Sequence, residues 1–318
     1  TENIGPLFTP ISKTDNFKSE LRMLLTGLGF DEIIGHGFTD SRLANMITPQ
    51  MASLKIQNPV SAELDVMRNS LIPFALTVVQ HNMSFRTMDL RLFEIGKAFI
   101  PSDSKEKWTE KDRLLILVTG QVHGTWRDKT RKLDFFDITG SLTRLAEHFD
   151  WPQLEFKNSK INCFDNEQSF DIFSGNTQIG EIGLLSKSIA QKLDIKQDLF
   201  LAELSVDSLI GQSGGLREFK PMPIYPAAPR DLAIIVDQSV KAGEIVRVVK
   251  KAAGELAENV EIFDLYQGAQ IAAGKKSLAI SITYRSPDGS LSSNQVDNQQ
   301  RLVIEQLKSA FNAEIRDK

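Results

Sequence analysis

Apolar residues alternate in short runs or recur at helical spacing along the chain, and both patterns are clearest toward its end. Asp231–Asp237 is a β-branched run and reads as a strand. From Lys241 onward, Ile245, Val248, Val249, Ala252, Ala253 and Leu256 recur at helical spacing, with Gly254 weakening the end of that helix. Asn259–Gln267 reads as a second strand. Ser277–Arg285 alternates strictly and reads as a third. Pro287-Asp288-Gly289 marks a turn. Val296, Val303, Leu307 and Ala310 outline a second helix, and Ala313–Arg316 fits a last short strand. The order βαββαβ is the split-βαβ, ferredoxin-like arrangement, whose antiparallel sheet carries two helices on one face and leaves the other free.

The longer stretch before it is less regular. Phe17, Leu21, Leu24, Leu25 and Leu28 form a helical stripe that stops at Gly29. Strands are expected over Asp31–Thr39, Arg91–Ile100 and Leu199–Leu204, and a hairpin over Ser169–Ser174 and Gln178–Leu185. Leu114–Val118 is apolar at every position, which predicts a central strand buried on both faces. Helices are expected over Val66–Met83 despite Pro73, over Ile138–His148 and over Ser186–Leu193. The sum is a mixed α+β domain on a mostly antiparallel sheet.

Between the two stretches, residues 211–223 hold three glycines and two prolines, the composition of a linker. Lys plus Arg number 37 against 41 acidic residues, so a general polyanion binder is disfavoured, while recognition of a short nucleic-acid element stays open. The single cysteine, Cys163, excludes an internal disulfide and a Cys-cluster zinc site. The apolar run Leu71–Phe85 is too short and too polar to span a bilayer. The first residues, without a basic or an apolar segment or an initiator Met, suggest a chain processed or excised from a longer one.

Strand alternation identifies the free face of the last sheet. Leu278, Ile280, Ile282 and Tyr284 share the parity assigned to the core, so Ser277, Ala279, Ser281, Thr283 and Arg285 point the other way. In the second strand Phe263 and Leu265 take the core parity. Asp264 and Tyr266 then face outward, near Ser277 if the strands pair as a hairpin. An outward ring beside a carboxylate and a hydroxyl has the parts of a single-base platform: the ring stacks and the polar groups read a base edge. An edge tyrosine half-covering its sheet fits the same pattern, and the pattern alone favours that reading.

Other motifs carry no chemistry unaided. Gly27-Leu-Gly29 follows a helix and lacks the third glycine of a dinucleotide loop, so it reads as a helix C-cap. His36, His81, His123 and His148 show no local metal-ligand spacing. Asp134 and Asp137 read as a solvated helix start. Cys163 has no nearby histidine and reads as a structural thiol.

From Phe219 the chain reads FKPMPIYPAAPRDLAIIVD, then VEIFDLYQG, then GKKSLAISITY. These segments, at their joint spacing, resemble the ferredoxin-fold anticodon-binding domain of the β subunits of bacterial phenylalanyl-tRNA synthetases. Upstream, NPVSAELDVMRNSLIPFAL, RLFEIGKAFIP and IGEIGLLSKSIAQKLDI resemble the synthetase-like core of the same family. The resemblance spans nearly the whole chain. It implies a class II aminoacyl-tRNA synthetase-like antiparallel sheet domain over residues 16–210, after a leader over 1–15. A linker over 211–222 and a ferredoxin-like domain over 223–318 would follow.

The resemblance also implies a silent core. The arginine that holds ATP and adenylate phosphates in the family's catalytic subunit falls here on Ile100, which cannot neutralise a phosphate. The glycine-rich segment ending in Glu-Arg has no counterpart near Leu204–Gly211. No catalytic or metal residue and no bound cofactor is therefore expected on this chain, and ATP and magnesium belong to the full enzyme. The implied partners are the catalytic α subunit, in an α2β2 assembly, and tRNA(Phe), in the cytoplasm and without a membrane. Apolar surface on the Val66–Met83 helix is expected to form part of the α contact. In the tail the family pattern places a stacking tyrosine on Tyr266 for the first anticodon base, with Asp264 and Ser277 in polar contact. Arg230, Lys275, Lys276 and Arg285 are candidate contacts to backbone phosphates. That strand parity already puts Asp264, Tyr266 and Ser277 on one face favours the base platform over the covering tyrosine. The family's oligonucleotide-fold, editing and magnesium-ligand segments would lie upstream of Thr1, so editing is not expected here. The rival readings are a scaffold for α that reads no RNA, and a stand-alone adenylating enzyme.

Overall fold

The structure, a computed structural model, describes residues 12–102, 108–212, 222–268 and 271–316. The chain divides into two compact units, Thr1–Arg217 and Glu218–Lys318. Residues 1–11 of the expected leader and 213–221 of the expected linker lie outside the described residues.

The first unit begins with α1 (Lys13–Gly27). Ser12 caps it by accepting from the Asp15 N–H, and Phe17, Leu21 and Leu25 bury one face. Gly29, at φ 83°, follows the helix end, so Gly27-Leu-Gly29 is a helix terminus as expected. β1 (Asp31–Glu32), β2 (Phe38–Thr39), α2 (Ser41–Ile47), β3 (Val66–Met67) and α3 (Ile72–Ser84) come next. The long strands β4 (Leu90–Pro101) and β5 (Trp108–Thr119) pair antiparallel along their whole length. β6 (Gln121–Val122) and β7 (Arg131–Lys132) make a small hairpin before α4 (Phe135–Phe149). The unit continues through β8 (Leu154–Asn158), β9 (Phe164–Ser174), β10 (Thr177–Leu185), α5 (Lys187–Lys192), β11 (Leu199–Ser205) and α6 (Val206–Gln212). Seven of these strands form one sheet in the order β1-β4-β5-β11-β10-β9-β8, antiparallel except for the β1–β4 edge.

Two expected elements differ. The strand over Asp31–Thr39 is two short strands in separate sheets, because β1 pairs with β4 while β2 pairs with β3. The chain leaves the large sheet at Gly35, where a Cβ would lie 2.5 Å from the Phe74 ring and 2.8 Å from the Arg68 guanidinium. The helix expected from Val66 starts only at Ile72, since Val66 and Met67 are strand residues. Pro73 sits in its first turn, where a missing N–H costs nothing. The apolar side of α3 (Ile72, Ala75, Leu76 and Val79) is buried within this unit, while Phe74, Val78 and Met83 of the same helix are only half-buried.

β5 is buried on both faces, as its composition predicts. Leu114, Ile116 and Val118 join Leu21, Leu25, Ile138 and Leu142 from α1 and α4. Leu115 and Leu117 join Ile47, Leu76 and Val79 from α2 and α3. Asp134 caps α4 and forms a capping box with Asp137, whose carboxyl is held low first by its hydrogen bonds from Arg131.

The α3 face of the sheet carries buried charge. Arg68 Nη1 donates to Glu94 Oε1 at 2.6 Å, with the side chains only 6% and 2% exposed. Arg68 Nε also donates to the Lys97 carbonyl, and the Gly35 N–H donates to the same Glu94 oxygen. On β11, Glu203 accepts from the Leu71 N–H at 2.6 Å and from the Ser70 hydroxyl at 3.0 Å. Loss of hydration pushes the Glu203 carboxyl above its ordinary range. A carboxyl raised in the folded state contributes stability below the ordinary glutamate range, and that contribution is lost as pH rises through the folded-state value. The stability of Glu203→Gln relative to the unsubstituted chain should therefore increase as pH rises from about 4 toward neutrality. Thermal melts over that range test this; a difference independent of pH would refute it.

The second unit holds β12 (Ala228–Asp237), α7 (Ala242–Ala253), β13 (Ala257–Tyr266), β14 (Lys275–Tyr284), α8 (Ser293–Phe311) and β15 (Glu314–Ile315). Its sheet order, β13-β14-β12-β15 with antiparallel neighbours, is that of the expected βαββαβ fold. Ile245, Val249 and Ala253 of α7 and Val296, Val303 and Leu307 of α8 pack against one face of the sheet. That face presents Leu232, Ile234 and Val236 from β12, and Leu278, Ile280, Ile282 and Tyr284 from β14.

Candidate nucleic-acid interface

The face without helices belongs to the alternate residues of these strands, and a bulge determines who shares it. Val260 and Ile262 of β13 stand opposite Ile282 and Ile280, on the helix side. Between Ile262 and Asp264 the register shifts by one residue. Asp264 then pairs with Ala279 and Tyr266 with Ser277, so both turn to the free face. In an unbulged ladder of the same sequence, Asp264 and Tyr266 would keep the parity of Val260 and Ile262 and face the helices. The core positions expected for Phe263 and Leu265 do not hold: each is 56% exposed. Phe263 is the unpaired bulge residue. Leu265 is opposite Leu278 but lies where little covers it.

The structure thus brings Asp264, Tyr266 and Ser277 together. Asp264 is exposed and Tyr266 is 36% exposed, but Ser277 keeps only 5% of its surface. Two further residues shape the spot. Gly268 lies against the tyrosine, and a Cβ there would be 2.5 Å from the Tyr266 hydroxyl oxygen, so any side chain at 268 displaces the ring. The Arg316 guanidinium carbon stands over the ring, 5.9 Å from its centroid.

The four expected phosphate contacts are scattered. Arg230 has the helix-side parity of Leu232 and pairs with Asp297 of α8 at 3.2 Å. Lys276 shares the parity of Leu278, and its Nζ donates to the Gln238 carbonyl at 3.0 Å. Lys275 is on the free face beside Ser277, ion-paired with Glu314 of β15. Arg285 follows the far end of β14, about 26 Å of strand away from Ser277, and pairs with Glu258 at 3.0 Å. Only Lys275 adjoins the tyrosine platform.

In the first unit, Ile100 pairs with Thr109 near the tip of the β4–β5 hairpin. The stretch Leu204–Gly211 is the end of β11 and most of α6, with Val206 and Leu209 in the core. Cys163 is buried and its thiol is pushed up by burial, the opposite of an activated nucleophile. Among the described residues no three His, Cys, Asp or Glu side chains are placed to hold a metal ion, and no helix is long and apolar enough to cross a membrane.

Sequence reasoning missed the bulge, Gly268 and Arg316. The bulge left a readable sign: Val260 and Ile262 have one parity, Phe263 and Leu265 the other, and an unbroken strand cannot bury both sets. Arg316 left none, because it reaches Tyr266 across the sheet.

A family model described as the phenylalanyl tRNA synthetase beta chain CLM domain matches residues 7–206, and one described as the ferredoxin-fold anticodon binding domain matches residues 223–316. The phenylalanine–tRNA ligase beta subunit of Coxiella burnetii is 31% identical over 315 residues, covering 96% of this chain and 39% of that protein. That of Mannheimia succiniciproducens is 32% identical over 302 residues, 94% of this chain and 38% of the relative. That of Shewanella oneidensis is 30% identical over 322 residues, 99% and 40% respectively. The chain spans about two fifths of the length of these relatives. The solved pyrrolysyl-tRNA synthetase from Desulfitobacterium hafniense superposes with a TM-score of 0.49 at 12% identity, over 62% of this chain and 68% of that one. With both family models matching in succession and about three identities in ten along nearly its whole length, the chain belongs to the phenylalanyl-tRNA synthetase beta-chain family.

Proposed function

We propose that residues 223–318 bind the anticodon of tRNA(Phe) for a phenylalanine–tRNA ligase, with Tyr266 stacking on the first anticodon base and Asp264 and Ser277 contacting its edge. The observation that carries this reading is the convergence of those three residues on the helix-free face, two of them directly opposite in the ladder. Residues 16–210 form the non-catalytic core, which pairs with a catalytic α subunit in an α2β2 assembly in the cytoplasm. The ligase reaction, with its ATP and magnesium, belongs to α. A buried-charge layer in which Arg68, Ser70 and Leu71 already occupy Glu94 and Glu203 supports a sheet face filled by its own chain.

Of the four cations first considered for phosphate, Lys275 is the one retained. With equal numbers of basic and acidic side chains after residue 217, binding should rest on stacking and a few polar contacts and depend only weakly on salt. Tyr266→Ala should weaken binding of a tRNA(Phe) anticodon stem-loop by about 1–3 kcal/mol, the loss of one base stack. Equal binding by the variant would remove the base-reader assignment. Robust phenylalanine-dependent ATP–pyrophosphate exchange by the chain without α would overturn the silent-core assignment.

A further inference from the structure

Tyr266 and Arg316 stand at opposite edges of the second unit's sheet, yet they meet over its free face. Tyr266 ends β13, one edge strand, and Arg316 directly follows β15, the other. Ile315 is opposite Ile234, on the helix side, so alternation turns Arg316 to the free side, where its N–H donates to the Ala233 carbonyl at 2.9 Å. Three strand spacings, about 14 Å, separate the two edge strands. The two long side chains lean toward each other across β14 and β12. Ser277, opposite Tyr266 in the ladder, is only 5% exposed on a face that carries no helix.

The separation is informative. At 5.9 Å from guanidinium carbon to ring centroid, the pair is looser than a direct stack. Two stacked layers at a nucleic-acid rise of roughly 3.4 Å need about 7 Å. The gap is therefore about an ångström short of admitting a base. Arg316 can supply that ångström, because it has a long rotatable side chain and follows a strand of only two residues.

We propose that Arg316 is the second jaw of the base site. An unpaired base enters between the Tyr266 ring and the Arg316 guanidinium, and the planar cation stacks on the base face turned away from the tyrosine. Lifting the arginine uncovers the Ser277 hydroxyl for the base edge. The ligand is a single unstacked base held between two planes. This inference rests on the reading of the tail as an anticodon binder.

The test is the affinity of the full chain for a labelled tRNA(Phe) anticodon stem-loop and for the same hairpin made abasic at the first anticodon position. Arg316→Ala should raise Kd for the intact hairpin roughly five- to thirty-fold. Arg316→Lys should weaken it nearly as much, because an ammonium keeps the charge and loses the plane. Neither variant should change binding of the abasic hairpin. Full rescue by lysine would make Arg316 a phosphate contact and overturn the proposal. Unchanged or tighter binding by Arg316→Ala would overturn it too, leaving the arginine as a cover that the base displaces. Tyr266→Ala separates the two levels. If it also binds normally, the base-reader reading fails; if it weakens binding while Arg316→Ala does not, only the second jaw fails.

Discussion

Replacing Arg68 with alanine should destabilise the first unit by about 3–5 kcal/mol, because it leaves a buried carboxylate without its counter-charge. Glu94 is 2% exposed on its side chain, and its Oε1 takes the Arg68 and Gly35 donors, while Oε2 has no hydrogen-bond partner among the described residues. Alanine removes the cation that makes this burial tolerable and opens a void beside Gly96, whose missing Cβ would lie 2.3 Å from the guanidinium. At roughly 2–4 °C per kcal/mol for a domain of this size, the melting temperature should fall by about 6–20 °C. An apolar pair of similar volume, Arg68→Met with Glu94→Leu, should recover much of the loss, since a buried ion pair is costly to break but often replaceable. Calorimetry on the three chains checks this; a loss below about 1 kcal/mol for Arg68→Ala would mean that Glu94 stays hydrated after all.

Ile280→Ala should cost the second unit about 2–5 kcal/mol. Ile280 has no exposed surface and sits mid-way along a central strand, opposite Leu232 on one side and Ile262 on the other. Three strand columns meet helices α7 and α8 there, so little can collapse into the space. For a unit of about a hundred residues, whose whole stability is of the order of 5–15 kcal/mol, this is a large fraction. The transition assigned to the second unit should move to lower denaturant, and anticodon-hairpin binding should fall with the folded population. A variant that melts like the unsubstituted chain would place Ile280 outside the cooperative core.

The second unit was the more legible from sequence because its elements obey one rule each. β14 alternates without a break from Leu278 to Tyr284, and the α7 stripe is buried at Ile245, Val249 and Ala253. The first unit was legible where composition was extreme, as at Leu114–Val118, and illegible where the chain turned on a contact. The strand expected over Asp31–Thr39 breaks at Gly35 because Arg68 and Phe74, more than thirty residues on, take the space. The helix expected from Val66 begins late because two residues prefer a ladder with β2. The site was half visible: parity placed Asp264, Tyr266 and Ser277 on one face. Parity could not place Arg230 and Arg285, whose partners Asp297 and Glu258 are fixed by tertiary pairing.

The bulge at Phe263 makes β13 two strands in series with independent grammars. Before it, Val260 and Ile262 face the hydrophobic core; after it, Asp264 and Tyr266 face the helix-free side. A substitution on one side of the bulge leaves the facing of the other side unchanged. Deleting Phe263 would close the bulge and leave Asp264 opposite Ala279 and Tyr266 opposite Ser277, still on the helix-free face. The ladder partners Ala279 and Ser277, rather than the count of residues along β13, fix the face that Asp264 and Tyr266 share.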